Sequence, residues 1–553
     1  MVAVAERPRR PGTRPLLAAA SGVLLAASFP APDLEPLAWI GLVPLLVAAR
    51  GLRPGAAFRI GWLGGLVFYL ATVYWVAYTI GSYTTVPFAV ALAILALMAS
   101  ILACYTGAFV AGVRWLAARG LPVIWLAPLL WVALEWLRGW FFIGFPWAAL
   151  GYSQYRHHDL VQIAEVTGVY GVSAILVLFN MVIVGILPER GTGGILPERG
   201  TGGILPERGT GGILPERGTG GILPERAAGT PPRRLVPALV ALTLLVVGVP
   251  TWGRWRAAAL ARRPPAGTLR VALAQGNVEQ AHKWDPAYQD ETLARYRALT
   301  AEAAARRPGL VVWPETATPF FFQEPGPLRD AVLETAGGNG VYLLFGSPAF
   351  RQAPSGAIQE LNRAYLVSPA GRELATYDKM QLVPFGEYVP YAQALFFVRR
   401  IVEAVGDVVP GLVPTVFRLP SARFGVAICY EDVFPSVTRR FVAAGADFLV
   451  NVTNDAWYGP TSAPHQHLAQ ATFRSIEGRV PLVRVANTGI SAVIDVDGRI
   501  RWQGPLFEPL VHVEQISWPG VRTFYTRFGD VFAWACALAS LAAFGYGAVK
   551  RRR

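Results

Sequence analysis

The chain has 553 residues, a formal net charge of +14, 53% hydrophobic residues and only 16% charged ones, against about 25% charged in an ordinary soluble protein. That length is too great for one ordinary domain, and the composition excludes a chain that is soluble throughout. The charge is not a nucleic-acid footprint either. Its arginines gather where apolar stretches end, at Arg7, Arg9, Arg10 and Arg14, at Arg50, Arg53 and Arg59, at Arg114 and Arg119, and in the closing Lys550 to Arg553. That is the placement of cytoplasmic anchors beside membrane helices.

Taken in chain order, eight apolar segments read as spans: 16–30, 35–49, 60–80, 86–113, 121–138, 166–187, 235–252 and 528–548. Several fall short of the roughly 20 residues that a straight crossing needs, so the first pair also reads as a tight hairpin. The basic N-terminus followed by Leu16 to Phe29 resembles a signal peptide, but further apolar segments follow at once and make a first span more economical. The positive-inside rule puts both termini in the cytoplasm and the long 253–527 segment outside. Arg254, Arg256, Arg262 and Arg263 break that rule locally.

Residues 186–226 hold a perfect nine-residue repeat, Ile-Leu-Pro-Glu-Arg-Gly-Thr-Gly-Gly, beginning at Ile186. Two apolar residues per unit cannot stack into a core, so the repeat reads as a flexible cytoplasmic linker. The predicted organisation is a membrane domain over 1–252 with seven spans, a soluble domain over 268–520 and a last span over 528–548. In the soluble domain, strands are expected at Leu269–Ala274, Leu310–Trp313, Val341–Phe345, Ala364–Val367, Phe424–Cys429, Phe448–Val452, Leu482–Val485 and Ala492–Val496. Helices are expected at Tyr288–Ala305 and His465–Ile476, and hairpin turns at Pro369-Ala370-Gly371 and Asp497-Gly498. This alternation argues an α/β domain.

Three segments of that domain carry possible chemistry. Cys429 ends an apolar strand and opens a turn, where a side chain projects into a crevice at a sheet edge; by itself it reads equally as a buried structural cysteine. Glu315, in Val311-Val312-Trp313-Pro314-Glu315-Thr316, again ends a strand. It suits a general base, and by itself also a helix-capping carboxylate. Lys379 lies in Tyr377-Asp378-Lys379-Met380-Gln381, ahead of a loop stiffened by Pro384, Gly386 and Pro390. A lysine there offers a compact charge for an oxyanion or simply a snorkelling surface residue.

Together, Glu in Trp-Pro-Glu, Lys in Tyr-Asp-Lys and Cys in Ile-Cys-Tyr-Glu resemble the Glu-Lys-Cys triad of the nitrilase superfamily, in the same chain order. Leu382 to Pro390, Asn454-Asp455-Ala456-Trp457-Tyr458-Gly459, Pro464-His465-Gln466-His467 and Ala486-Asn487-Thr488-Gly489-Ile490-Ser491 narrow the resemblance to the apolipoprotein N-acyltransferases. The likeness covers nearly the whole chain, and the repeat is its main departure.

The resemblance implies an α-β-β-α sandwich beside about eight membrane helices, in a bacterial inner membrane with the catalytic domain on the outer face. It implies transfer of an acyl chain from a phospholipid, typically phosphatidylethanolamine, through a thioester on Cys429 to the α-amino group of a diacylglyceryl-apolipoprotein, with no cofactor. It makes Glu315 the base, Lys379 the oxyanion partner and Cys429 the nucleophile. Glu387, Tyr430, Glu431 and Trp284 become supporting residues, Glu387 orienting Lys379 and Trp284 lining a lipid entrance. His465 and His467 lack an evident third ligand and read as helix-start residues rather than a metal site. The apolar segments Pro319 to Phe322 and Ala394 to Val398 read as lids or as core packing. The rival readings are a membrane-tethered amidase with the same triad, and a transporter or scaffold for which Glu135 and Arg138 are the main intramembrane ionisable residues.

Overall fold

A computed structural model describes residues 12–142, 144–188, 236–391 and 408–550. Among these, five helices are long and apolar enough to cross a membrane: Pro54–Thr72, Phe88–Ala117, Val169–Ile186, Val236–Ala261 and Val531–Lys550. Thr13–Ala27 and Val123–Arg138 are apolar but shorter, at 15 and 16 residues. The repeat beyond Pro188 and the 394–398 segment lie outside the described residues.

Glycines set the helix packing. A Cβ on Gly22 would stand 2.5 Å from the Gly64 carbonyl oxygen, and one on Gly61 would stand 2.8 Å from that of Thr106. Helix Pro54–Thr72 is therefore gripped on two faces, by Thr13–Ala27 and by Phe88–Ala117. Small residues permit this close backbone approach where lipid offers no hydrophobic drive.

Two predicted spans need correction. The 35–49 segment is a 3-10 turn over Glu35–Trp39 followed by the six-residue helix Val43–Ala48, so it makes no straight crossing. The 60–80 segment is broken: its helix ends at Thr72, and a separate helix, Trp75–Tyr83, docks on the soluble domain. Thr79 Oγ1 donates to the Trp457 carbonyl at 2.9 Å and Tyr83 to that of Ala456 at 2.7 Å. Polar side chains at 79 and 83 find acceptors there that hydrocarbon would not supply. The local breach of the charge rule also has a cause. Arg254 pairs with Asp159 at 2.5 Å and Arg256 with Glu165 at 2.8 Å, so two of those four arginines are offset by carboxylates.

Among the described residues the soluble domain has twelve strands. In chain order they are β1 (Gly267–Gln275), β2 (Leu310–Val312), β3 (Leu343–Gln352), β4 (Ile358–Val367), β5 (Glu373–Asp378) and β6 (Val416–Arg418). There follow β7 (Arg423–Ile428), β8 (Phe448–Thr453), β9 (Leu482–Ala486), β10 (Ala492–Ile494), β11 (Ile500–Gln503) and β12 (Leu510–Trp518). They form two six-stranded sheets, ordered β12-β1-β2-β3-β4-β5 and β11-β10-β9-β8-β7-β6. Each has three parallel strands flanked by antiparallel ones.

The period of two in each strand explains the layers. Leu269, Val271 and Leu273 point into one core with Phe424, Val426 and Val450 of the second sheet. Ala272 and Ala274 point the other way, into a core with Tyr296 and Val332 of helices Gln289–Ala304 and Pro327–Asn339. Helices Pro435–Ala443 and Ala463–Gly478 contact strands of the second sheet. The result is the expected α-β-β-α sandwich. Both predicted hairpins occur, β4–β5 through 369–371 and β10–β11 through 497–498. Phe322 is fully buried against Phe345 and Tyr365, so the end of the 319–322 segment is core.

Candidate active site

Cys429 follows β7 directly and opens a 3-10 turn over Cys429–Val433, with φ of +53°. A non-glycine residue in the left-handed region is strained, and such strain persists only where the surroundings enforce it. They do so here. The Asn451 amide donates to the Cys429 carbonyl at 3.1 Å. Two residues on, the Glu431 carboxylate accepts from Ile428 N at 2.7 Å, Met380 N at 2.7 Å, Gln381 N at 3.0 Å and the Tyr377 hydroxyl at 2.8 Å. Glu431 thus laces the cysteine turn to the segment that carries Lys379. Burial raises the Glu431 carboxyl to about 7, against the pull of those donors.

Glu315 stands just past β2, before Thr316 at φ +50°. Its Oε1 accepts from Asn362 Nδ2 at 2.8 Å and from Lys379 Nζ at 3.4 Å, and its Oε2 from the backbone N–H of Asn454 at 3.0 Å. Lys379 is 1% exposed and also donates to Glu387 at 2.9 Å. Glu387 is held in turn by Val383 N at 2.8 Å and Asn362 Nδ2 at 3.0 Å. Burial works against the Lys379 charge, but the carboxylates of Glu387 and Glu315 overcome it and hold the ammonium well above its usual range. Burial, and next the Glu315 charge, push the Cys429 thiol up, with Lys379 acting in the other direction. Cys429 thus lies within reach of the charges of both Glu315 and Lys379, a grouping compatible with a base-activated nucleophile.

The structure brings Glu315, Lys379, Cys429, Glu387 and Glu431 into one constellation. Tyr430 stacks on Trp147 of the 139–150 loop with ring centres 6.2 Å apart, and Trp147 also meets Trp75. Trp284 is 52% exposed and follows Lys283, whose Nζ donates to the Glu315 carbonyl at 3.0 Å.

His467 is not a helix-start residue. It is fully buried, with Nε2 2.6 Å from Asp432 and Nδ1 3.2 Å from Asp455. Arg484 pairs with the same two aspartates at 3.1 and 2.7 Å. This closed cluster lies under the cysteine turn, since Asp432 belongs to it. Arg484 had a legible signal, a lone cation in the apolar run Leu482–Ala486. Asn362 and Lys283 had none, because their contacts join segments far apart in sequence, and Asn454 stood out only as the start of a family motif.

Residues 21–182 match the family described as apolipoprotein N-acyltransferase N-terminal domain, and residues 270–524 match carbon-nitrogen hydrolase. Twin sheets with this strand order, joined to apolar helices, make the protein a carbon-nitrogen hydrolase-type enzyme set on a membrane domain. An apolipoprotein N-acyltransferase of Geobacter metallireducens is 40% identical over 523 residues, 94% of this chain and 92% of its own. One of Azotobacter vinelandii is 32% identical over 99% of this chain and 96% of its own. The chain belongs to the apolipoprotein N-acyltransferase family. Among solved structures, an amidase from Nesterenkonia sp. is 20% identical over 50% of this chain and 98% of its own, with a TM-score of 0.36.

Proposed function

We propose that the protein carries an acyl chain from a phospholipid to the α-amino group of the diacylglyceryl-cysteine of apolipoproteins, through a thioester on Cys429. The observation that carries this reading is the Glu315 carboxylate, shared between Lys379 Nζ and the Asn454 amide beside a strained, buried cysteine. Glu315 takes the Sγ proton as sulfur attacks the ester carbonyl. Lys379, with the backbone N–H of Tyr430, meets the charge that develops on oxygen. The C–O bond breaks and the Glu315 proton leaves on the lysophospholipid alcohol. The incoming amine gives a proton to Glu315 and attacks the thioester. The C–S bond breaks and sulfur recovers its proton. Two half-reactions on one nucleophile give ping-pong kinetics.

Both substrates are held in lipid, so the site works at the membrane surface. The aromatic contacts from Tyr430 through Trp147 to Trp75 support a lipid approach from the helical side. In this reading phosphatidylethanolamine is the donor. The protein sits in the bacterial inner membrane with its termini in the cytoplasm and its catalytic domain on the outer face, and the membrane domain over 1–252 and the last helix hold the 268–520 domain there. The test is mass spectrometry of the purified protein incubated with phosphatidylethanolamine in detergent, beside Cys429→Ala. One acyl chain gained on the Cys429 peptide, absent from the variant and discharged by a diacylglyceryl lipopeptide, is the expected result. No adduct on folded protein, with ammonia released from a small amide, turns the reading to an amidase.

A further inference from the structure

Lys283 lies in the loop between β1 and helix Gln289–Ala304, next to the exposed Trp284. Its side chain points the other way and is 3% exposed. A buried ammonium needs partners, because its isolated charge costs several kcal/mol to desolvate. Nζ has three N–H bonds, and among the described residues one of them is used, donating to the main-chain oxygen of Glu315 at 3.0 Å. The loop is strapped in place rather than loosely folded over. Asn487 binds both polar groups of the Val278 backbone, at 2.9 and 2.8 Å, and Gln280 accepts from Asn454 Nδ2 at 2.8 Å. That same Asn454 binds the Glu315 carboxylate.

A charge count shows what the lysine adds. Glu315 and Glu387 bring two negative charges and Lys379 one positive, so these three buried groups sum to −1 before the neighbouring Glu431 carboxylate is counted. Moving the Cys429 proton to Glu315 leaves the sum unchanged while creating a thiolate. In the neighbouring cluster Asp432 and Asp455 face Arg484 and His467, so it has no excess cation to lend. Lys283 offsets one of those negative charges. It is close enough for the charges of Glu315 and Cys429 to act on it, and burial, opposed by those two, brings its ammonium down to about 8.

We propose that Lys283 is a further positioning residue of the acyl-transfer site, fixing the main chain of Glu315 and supplying the second positive charge against which Cys429 ionises. This rests on the acyl-transfer reading above but is tested without any acyl donor. The groups whose charges reach Cys429 include Glu315, Lys379, Asp455, Arg484, Tyr458 and Lys283, and only the last is altered.

The experiment follows iodoacetamide alkylation of the Cys429 peptide in the full-length protein in detergent, from pH 6 to 10, for wild type, Lys283→Met, Lys283→Gln and Lys283→Arg, each with its thermal midpoint. Loss of the charge in the Met and Gln variants displaces the alkylation profile upward by about one pH unit, about tenfold slower reaction at a fixed pH on the rising limb. Arginine keeps the profile near wild type. Glutamine retains a donor for the Glu315 carbonyl, so it serves as the neutral variant if the Lys283→Met protein melts early. Neutral variants whose profiles overlay wild type overturn the proposal. A displaced profile in protein that forms no acyl-enzyme from phospholipid would instead sink the acyl-donor reading and leave the role of Lys283 standing.

Discussion

The backbone N–H of Asn454 donates to Glu315 Oε2 at 3.0 Å, and this one bond joins the end of β8 in the second sheet to the residue just past β2 in the first. Glu315 is therefore positioned by the packing of the two sheets and not by its own strand alone.

In the proposed acyl transfer Glu387 acts through Lys379, which donates to it at 2.9 Å. Glu387→Gln keeps a hydrogen-bond acceptor near Nζ but removes a charge, and a hydrogen bond to a charged group contributes about 1.5–3 kcal/mol. The expected loss is about 10- to 100-fold in the rate of acyl-enzyme formation, measured by single-turnover mass spectrometry, with little change in thermal midpoint. An unaltered rate would remove Glu387 from the site.

Glu431 has a different signature. Glu431→Ala strands three buried N–H groups, of Ile428, Met380 and Gln381, together with the Tyr377 hydroxyl. At about 1–3 kcal/mol for each unsatisfied group, the variant is expected to lose at least about 3 kcal/mol. Scanning calorimetry in detergent measures this as a lower midpoint. Loss of activity without loss of stability would mean that Glu431 acts in the chemistry instead.

His467 makes the catalytic domain sensitive to pH. Burial and Arg484 disfavour its charge, but the Asp432 and Asp455 carboxylates overcome them and raise it above the ordinary value. A raised histidine stabilises the fold fully below its unfolded pKa, near 6.5, and that contribution is lost as pH rises through the higher folded value. The advantage of wild type over His467→Gln in thermal midpoint should therefore be largest near pH 6 and shrink steadily on the alkaline side. A constant difference from pH 6 to 9 would show that the ring is uncharged throughout.

Gln466, the neighbour of His467, faces the membrane domain. Its Nε2 donates to the Pro30 and Thr72 carbonyls at 3.1 and 3.0 Å, and its Oε1 accepts from Trp147 Nε1 at 2.7 Å. Gln466→Ala leaves those buried groups unpaired at once, for an expected loss of about 3 kcal/mol or more. The difference should appear as easier protease cleavage between the two domains as well as a lower midpoint. Intact resistance to protease would show that the aromatic packing alone holds the domains together.

Glu315, Lys379 and Cys429 were legible because each ends or precedes an apolar or stiffened segment, although each alone had a structural alternative and only the family resemblance joined them. Strands β5, β6, β11 and β12 were not anticipated. In Glu373–Asp378, Ile500–Gln503 and Leu510–Trp518 polar residues interrupt the apolar run, as suits strands at or near the open edges of a sheet. The break at Val73 was hidden because the apolar character continues through Trp75 to Ile80, although what that stretch covers is protein. His467 read as a helix-start residue because Asp432, Asp455 and Arg484, which face it, all come from outside its own helix. Lys283 was masked by Trp284, the larger and more conspicuous neighbour.

The last strand, β12, pairs along the whole of β1, from Gly267 opposite Trp518 to Gln275 opposite Leu510, and Ala266 N donates to the Trp518 carbonyl at 2.8 Å. The polypeptide thus arrives from one apolar helix and departs toward another through a single doorway. An entire two-sheet enzyme needs no more room in the loop between those helices than a β-hairpin does. Such a module can be inserted at one point of the helical part, and what then has to be matched is its lateral contacts, through Thr79, Trp147 and Gln466.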